Sequence, residues 1–215
     1  MVSNKISFYN KLSLTDKRYF EHRITKFIKN HDYKSREGIA ITEEIKLLIA
    51  ATAIKVSFGY RNYLFSIVDT IIVYPKEYFS NITKQHHKGE TNLRYKTVVL
   101  SWEGFKEGLK IENDNLNLGI HEFTHAMQFS FKNKQNSSSR YFKRNYNNLL
   151  HFLEDKDEQK KLVNSGYLRE YAFENQYEFL AVLVEHYFET PEEFNQKLPE
   201  IFDYVRRILN IEFEN

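Results

Sequence analysis

The chain has 215 residues, with 31 lysines and arginines against 29 aspartates and glutamates, and it contains no cysteine. Hydrophobic residues make up 41% and charged residues 28%, which excludes a disordered chain and fits one globular domain. The balance of charge argues against a nucleic-acid partner, and the lack of cysteine excludes disulfides, thiolate zinc ligands and a cysteine nucleophile.

The N-terminal half predicts two helices followed by two strands. Residues 14–30 repeat apolar side chains at helical spacing, and residues 41–59 form an apolar run that opens with threonine and closes on glycine. The β-branched and aromatic stretches at 63–75 and 95–102 predict strands, and the polar residues 80–92 between them predict a loop. His86 and His87 are adjacent within that loop, and we interpret them as solvated.

The C-terminal half predicts helices only. Residues 113–132, 152–166, 175–191 and 198–210 have helical patterns, whereas residues 133–148 are polar and predict a connector. The connector mixes basic and aromatic side chains, which we interpret as a flexible loop on the substrate side rather than a nucleic-acid surface. Leu116, at the start of the first of these helices, is expected on its apolar side.

Helices, then strands, then helices predict one α+β domain over residues 1–215, mostly helical with a small sheet. Helices and sheet would occupy about 12–110, and the remaining helices about 113–210.

The most apolar run, 45–56, is too short to cross a bilayer. The first 17 residues lack the apolar core of a signal peptide. We therefore expect a cytoplasmic protein with no membrane partner.

The helix predicted at 113–132 contains an H-E-x-x-H motif formed by His121, Glu122 and His125. Residues four apart lie on one helix face, so both imidazoles can bind the same ion. Glu122 can take a proton from a metal-bound water, whose pKa zinc lowers to about 7. The alternative is a pair of surface histidines. Uncharged neighbours favour a buried face instead, where imidazoles need a partner.

A catalytic zinc needs a third protein ligand and one open position. No third histidine follows at the short spacing of metzincins, so the helix predicted at 175–191 and the residue before it supply the candidates. Spacing alone does not choose among them. The candidates are Glu174, Glu178, Glu185 and His186.

Five sequence blocks occur along the chain: VYP (73–75), VLSW (99–102), NLGIHEFTHAMQ (117–128), REYAFENQYEFLAVLVEHYFETPEEF (169–194) and LPEIFDYV (198–205). In the same order, these blocks resemble those of the Mlc titration factor A family of zinc metallopeptidases. The resemblance covers roughly residues 40–210, and it implies a zincin-like fold whose active site is similar to that of lethal-factor peptidases.

The resemblance implies a role for each site residue. Glu178 would be the third ligand, joining His121 and His125 around one Zn²⁺ per chain. Tyr171, seven residues before Glu178, would face the metal and donate a hydrogen bond to the developing oxyanion. Glu122 would activate the water and then transfer its proton.

Other residues are expected to support the site. We interpret Glu185 as orienting a ligand histidine. Gln128 departs from the family, which often has aspartate at that position. The strand in 95–102 is expected to form the upper edge of the cleft and to pair with an extended peptide.

The leading hypothesis is a zinc-dependent peptidase that acts on a peptide substrate, with aminopeptidase-like action implied by the resemblance. The alternative is a metal-stabilised binding protein that sequesters a transcriptional repressor, as the family name implies. Glu122 and Tyr171 favour chemistry, because a protein that only binds needs neither.

Overall fold

Helices dominate the computed structural model, which describes residues 6–80, 84–132 and 134–211. Both ends of the predicted 1–215 domain, and parts of the predicted loop and connector, therefore lie outside the described residues. The helices are α1 Ser7–Asn10, α2 Leu14–Asn30, α3 Glu43–Ser57, α4 Trp102–Lys110, α5 Leu118–Lys132, α6 Ser137–Phe152, α7 Lys156–Asn164, α8 Gln176–Glu189, α9 Pro191–Lys197 and α10 Pro199–Leu209. The strands are β1 Asp32–Ser35, β2 Thr70–Tyr74, β3 Tyr78–Phe79, β4 His86–His87, β5 Gly89–Asn92 and β6 Thr97–Ser101.

Four of these strands form one mixed sheet in the order β1-β2-β6-β5. Strands β1, β2 and β6 are parallel, and β5 runs antiparallel to β6 with Thr91 opposite Val98. β5 is therefore one of the two edge strands, next to β6. The prediction that the strand in 95–102 forms the cleft edge is wrong, because β6 lies inside the sheet. The segment predicted as the loop 80–92 supplies this edge, because pairing with β6 compensates for the weak strand propensity of its polar residues.

The strand predicted over 63–75 is shorter than expected, since only Thr70–Tyr74 is extended. The preceding residues form turns in which Phe65 and Val68 are buried. Their apolar side chains pack into the core individually, so hydrophobic content alone gave a false strand signal there.

Residues 133–148 were predicted as a polar connector, but most of them belong to helix α6. Asn136 caps this helix by accepting a hydrogen bond from the Ser139 amide at 2.8 Å. Phe142, Tyr146 and Leu149 are buried at spacings of four and three residues, which is the periodicity of an amphipathic helix. Charged residues between them hid that pattern.

The other predicted helices are present: α2 has the predicted bounds, and the remaining ones have shifted ends. Helix α5 begins at Leu118 rather than at 113, because the Asn117 side chain accepts a hydrogen bond from the Ile120 amide at 3.1 Å. Leu116 precedes the helix and is 56% exposed, so its expected place on the apolar face is wrong. Pro191 follows α8 as predicted and also opens the unpredicted α9, where its fixed φ suits the first helical position.

Helix α5 lies at the centre of the molecule and carries the H-E-x-x-H motif. It packs against the helices α3, α6 and α8 and against the strands β5 and β6 of the sheet. Phe123 on α5 is fully buried, stacks on Phe65 at 5.6 Å between ring centroids and meets the edge of Phe27 at 6.0 Å. Among the described residues, no helix combines the length and apolar character needed to cross a membrane.

Removing the Phe123 ring should destabilise the fold strongly. We expect Phe123→Ala to lower the free energy of unfolding by about 3–5 kcal/mol, because a buried ring is lost and the cavity cannot collapse fully. Phe173→Ala is the matched control, since Phe173 is 46% exposed and its loss should cost much less. Urea denaturation followed by circular dichroism measures both; equal losses would contradict the central place of Phe123.

Candidate metal centre

Helices α5 and α8 bring three potential metal ligands together. His121 and His125 lie one turn apart on α5, and Glu178 lies in the first turn of α8. Nε2 of His121 is 3.1 Å from Nε2 of His125, and Glu178 Oε2 is 2.9 Å and 3.2 Å from these two nitrogens. Within the described residues, this is the group of histidine and acidic side chains close enough to hold one ion.

The donor set fits a metal ion. Ligand atoms about 2.0–2.1 Å from a tetrahedral zinc lie about 3.3–3.4 Å from one another, close to the three distances observed here. His121 Nδ1 lies 2.7 Å from Glu185 Oε1. In the neutral imidazole, donation from Nδ1 leaves a lone pair on Nε2, directed at the other two ligands. Glu178 Oε2 is buried, and the nitrogens that it approaches are those of the two other candidate ligands, His121 and His125. Converging lone pairs repel each other unless a cation lies between them.

The pKa values of the metal-free residues reflect the short distances between them. Burial alone lowers the pKa of His121, but its contacts with Glu178 and Glu185 outweigh burial and raise the pKa to about 10. Burial alone raises the pKa of Glu178, but its contacts with His121 and His125 outweigh burial and lower it. A metal must therefore displace a proton from this cluster when it binds.

Glu185, buried behind the ligands, holds His121 in place. Besides the bond to His121, its carboxylate accepts hydrogen bonds from Arg169 Nη2 at 2.8 Å and from the Asn117 amide at 2.9 Å. These donors satisfy a carboxylate that is only 1% exposed. The contact fixes the tautomer and the orientation of the imidazole.

Gln128, on the next turn of α5, lies near His125. Its Nε2 donates a hydrogen bond to the Tyr177 carbonyl at 3.1 Å and is 3.5 Å from His125 Nδ1. The second distance is too long for a strong hydrogen bond. Gln128 therefore ties α5 to the start of α8, where Glu178 lies, more firmly than it holds the imidazole.

Glu122 points from α5 toward the edge strand β5. Its carboxylate accepts a hydrogen bond from Thr91 Oγ1 at 2.8 Å, and burial raises its pKa against the opposing charges of His121 and His125. Gly89 leaves the space for this carboxylate, since a Cβ there would lie 2.8 Å from Glu122 Oε1. Sequence reasoning missed Gly89 and Thr91 because both lie in the segment predicted as a loop.

Tyr171 lies on a 3₁₀ turn, Glu170–Phe173, beside the ligands. Its ring centroid is 5.8 Å from that of His121, and the side chain is 41% exposed, so the phenol borders both the ligands and solvent. Burial and the negative charge of Glu178 raise the pKa of Tyr171, so its hydroxyl is a proton donor at neutral pH. The guanidinium of Arg169 lies 5.8 Å from the centroid of the Tyr171 ring, within the range of a cation–π contact.

A family model described as glucose-regulated metallo-peptidase M90 matches residues 1–209. The chain belongs to this family. Membership confirms the resemblance found in the sequence and makes the protein an M90 metallopeptidase with a candidate metal site at His121, His125 and Glu178. The chain is also similar to an uncharacterized protein of Synechocystis sp., with 23% identity over 234 residues that cover 99% of this chain and 82% of that protein.

The remaining candidates from the sequence lie apart from the ligand group. The ring of His186 packs against Tyr167 at 4.6 Å, and burial lowers its pKa to about 4. Glu174 is exposed at the end of the 3₁₀ turn. His86 and His87 form β4 rather than a loop, and His86 is exposed.

Glu189, the last residue of α8, lies next to the residues that support the metal centre. Asn117 Nδ2 donates a hydrogen bond to Glu189 Oε1 at 2.9 Å, while the Asn117 amide binds Glu185. Burial raises the pKa of Glu189 to about 7, although Asn117 and Lys55 oppose this rise. The folded state therefore holds this proton more tightly than the unfolded state, and the stabilisation is lost as pH rises from about 4.5 to about 7.

Glu189→Gln should remove this pH dependence while keeping an acceptor for Asn117. We expect the stability of the variant relative to the wild type to increase between pH 5 and pH 8 by about 1–2 kcal/mol, a value discounted for partial exposure. Urea denaturation of the metal-free proteins at both pH values tests this, with exposed Glu174→Gln as the control. If the difference in unfolding free energy between Glu189→Gln and the wild type does not change with pH, Glu189 has an ordinary pKa in the folded protein.

Proposed function

We propose that the protein is a zinc-dependent peptidase that hydrolyses peptide bonds in the cytoplasm. The observation that carries this proposal is the position of Glu122, a buried carboxylate adjacent in sequence to the first ligand of a three-donor centre. A site that only stored or transported a metal would need the three ligands but no carboxylate of this kind beside them.

Each side chain has a chemical task in this proposal. Zinc would polarise the scissile carbonyl and lower the pKa of water. Glu122 takes the proton of the attacking water and delivers it to the leaving amine, while Thr91 holds its carboxylate in place. Tyr171 donates a hydrogen bond to the oxygen that becomes negative. Glu185 keeps His121 oriented for binding.

The edge strand β5 is the proposed binding surface for the peptide. One side of β5 pairs with β6, and no strand of the described residues pairs with the other side. Because Thr91 of β5 donates to Glu122 and Gly89 leaves the space for its carboxylate, a peptide added to this edge would pass beside the catalytic carboxylate. The resemblance to the Mlc titration factor A family favours aminopeptidase-like cleavage of short peptides.

A second function is favoured by an exposed apolar surface near Tyr171. Phe173 and Val163 are 46% and 61% exposed and border a groove of about 330 Å³ that Leu162 and Phe179 also line. Exposed apolar surface of this kind suits a protein partner. Sequestration of a transcriptional repressor is therefore the alternative, and it is compatible with peptidase activity in the same chain.

Glu122→Gln separates catalysis from metal binding. With a mixed fluorogenic peptide library, we expect zinc-loaded wild type to cleave and Glu122→Gln to lose about 10²–10⁴-fold in kcat/KM, because the general base is removed. Tyr171→Phe should lose about 10²-fold or more through loss of the oxyanion donor. Metal content should not change in either variant.

Glu174→Gln serves as the control, since this exposed carboxylate lies four residues before Glu178 and outside the ligand group. It should match the wild type. Full metal content without cleavage of any peptide by the wild type would contradict the peptidase proposal and favour the repressor-binding alternative.

A further inference from the structure

A cavity separate from the metal ligands lies between the N-terminal and C-terminal helices. Residues of α1, α3, α8, α9 and α10 line it, and its volume is about 530 Å³. Volumes of about 300–1,000 Å³ are typical of sites for small molecules. Four aromatic side chains line it, beside polar residues that include lysines and a glutamate: Phe8, Tyr187, Phe188 and Phe202.

Lys55 places a positive charge in this aromatic cavity. It belongs to α3, whose mid-section is otherwise apolar and buried. Its ammonium has no hydrogen bond or ion pair among the described residues and lies 4.7 Å from the Phe188 ring centroid. Burial lowers its pKa to about 8, although Glu189 and Glu112 oppose this effect, so the side chain is still mainly charged at neutral pH.

The closest acidic groups do not neutralise Lys55 directly. Lys55, Glu112 and Glu189 line a smaller space of about 20 Å³, room for about one water molecule, but neither carboxylate forms an ion pair with Lys55 within 4.0 Å. The ammonium therefore keeps its capacity to bind an anion from the larger cavity. Lys55 is half-buried, and a ligand carboxylate can supply the ion pair that Glu112 and Glu189 do not form with it.

We propose that this cavity binds a small organic carboxylate with an aromatic or similarly bulky apolar body. Lys55 pairs with the carboxylate, and the aromatic side chains contact the apolar body. Lys11, which lines the cavity and is exposed, adds positive potential, while Glu192, also exposed, disfavours ligands with several negative charges. This site is independent of peptide hydrolysis, since it shares no residue with the metal centre.

Paired ligands and paired variants test the site. Isothermal titration of the zinc-loaded protein would use a panel of aromatic and branched aliphatic monocarboxylates, including 3-phenylpropanoate, each beside its neutral amide. We expect at least one carboxylate to bind the wild type and its amide to bind at least tenfold more weakly. Lys55→Met, which keeps the length of the side chain but removes its charge, should weaken carboxylate binding at least tenfold.

Lys46→Met on the same helix is the control, because Lys46 pairs with Glu43 outside the cavity, and it should bind like the wild type. Lys55→Gln provides a second neutral variant should the methionine variant misfold. Failure of every carboxylate to bind the wild type would overturn the proposal. Equal binding by the folded Lys55 variants would also overturn it, because the carboxylate would then bind elsewhere, for example at zinc.

Discussion

Three electron-pair donors face one another across the interface between α5 and α8, and much of the surrounding structure keeps them there. His121, His125 and Glu178 present atoms separated by 2.9–3.2 Å in a largely buried space. Without a cation such a group is stable only if it gains protons, which explains the high pKa of His121. Precise packing of α5 against α8 is therefore the condition for binding a metal at this centre.

Supporting contacts reach the centre from both sides. On the helical side, Asn117 caps α5 and also donates to Glu185, so the start of the motif helix and the orientation of His121 depend on the same residue. On the sheet side, Thr91 and Gly89 of the edge strand hold and accommodate Glu122. One helix thus presents ligands to α8 and a carboxylate to the proposed peptide-binding edge.

The sequence predicted the centre better than its surroundings. The spacing of His121 and His125 is a local property of a helix, so the pair could be recognised without a fold. The third candidate ligand is 53 residues after His125 in the chain, and only the family resemblance selected Glu178 from its neighbours. The edge strand was missed because Gly89 and Thr91 become part of a strand through pairing with β6, which a single sequence does not reveal.

Helix α6 shows a different limit. Its buried positions, Phe142, Tyr146 and Leu149, follow helical spacing, but the polar and basic residues around them dominated the composition. The short strand at Thr70–Tyr74 shows the converse, because Phe65 and Val68 before it are buried without regular structure. In both segments tertiary packing determines the conformation, and the amino-acid composition alone does not reveal it.

Zinc binding to the wild type and to Glu178→Gln would test the central claim most directly. The metal-free proteins would be titrated with zinc by calorimetry, with release of protons followed in buffers of different ionisation enthalpy. The account predicts one tight site per chain in the wild type, proton release on binding, and a large loss of affinity in Glu178→Gln. Wild-type protein that binds no zinc, or a variant with unchanged affinity, would contradict the assignment of this centre.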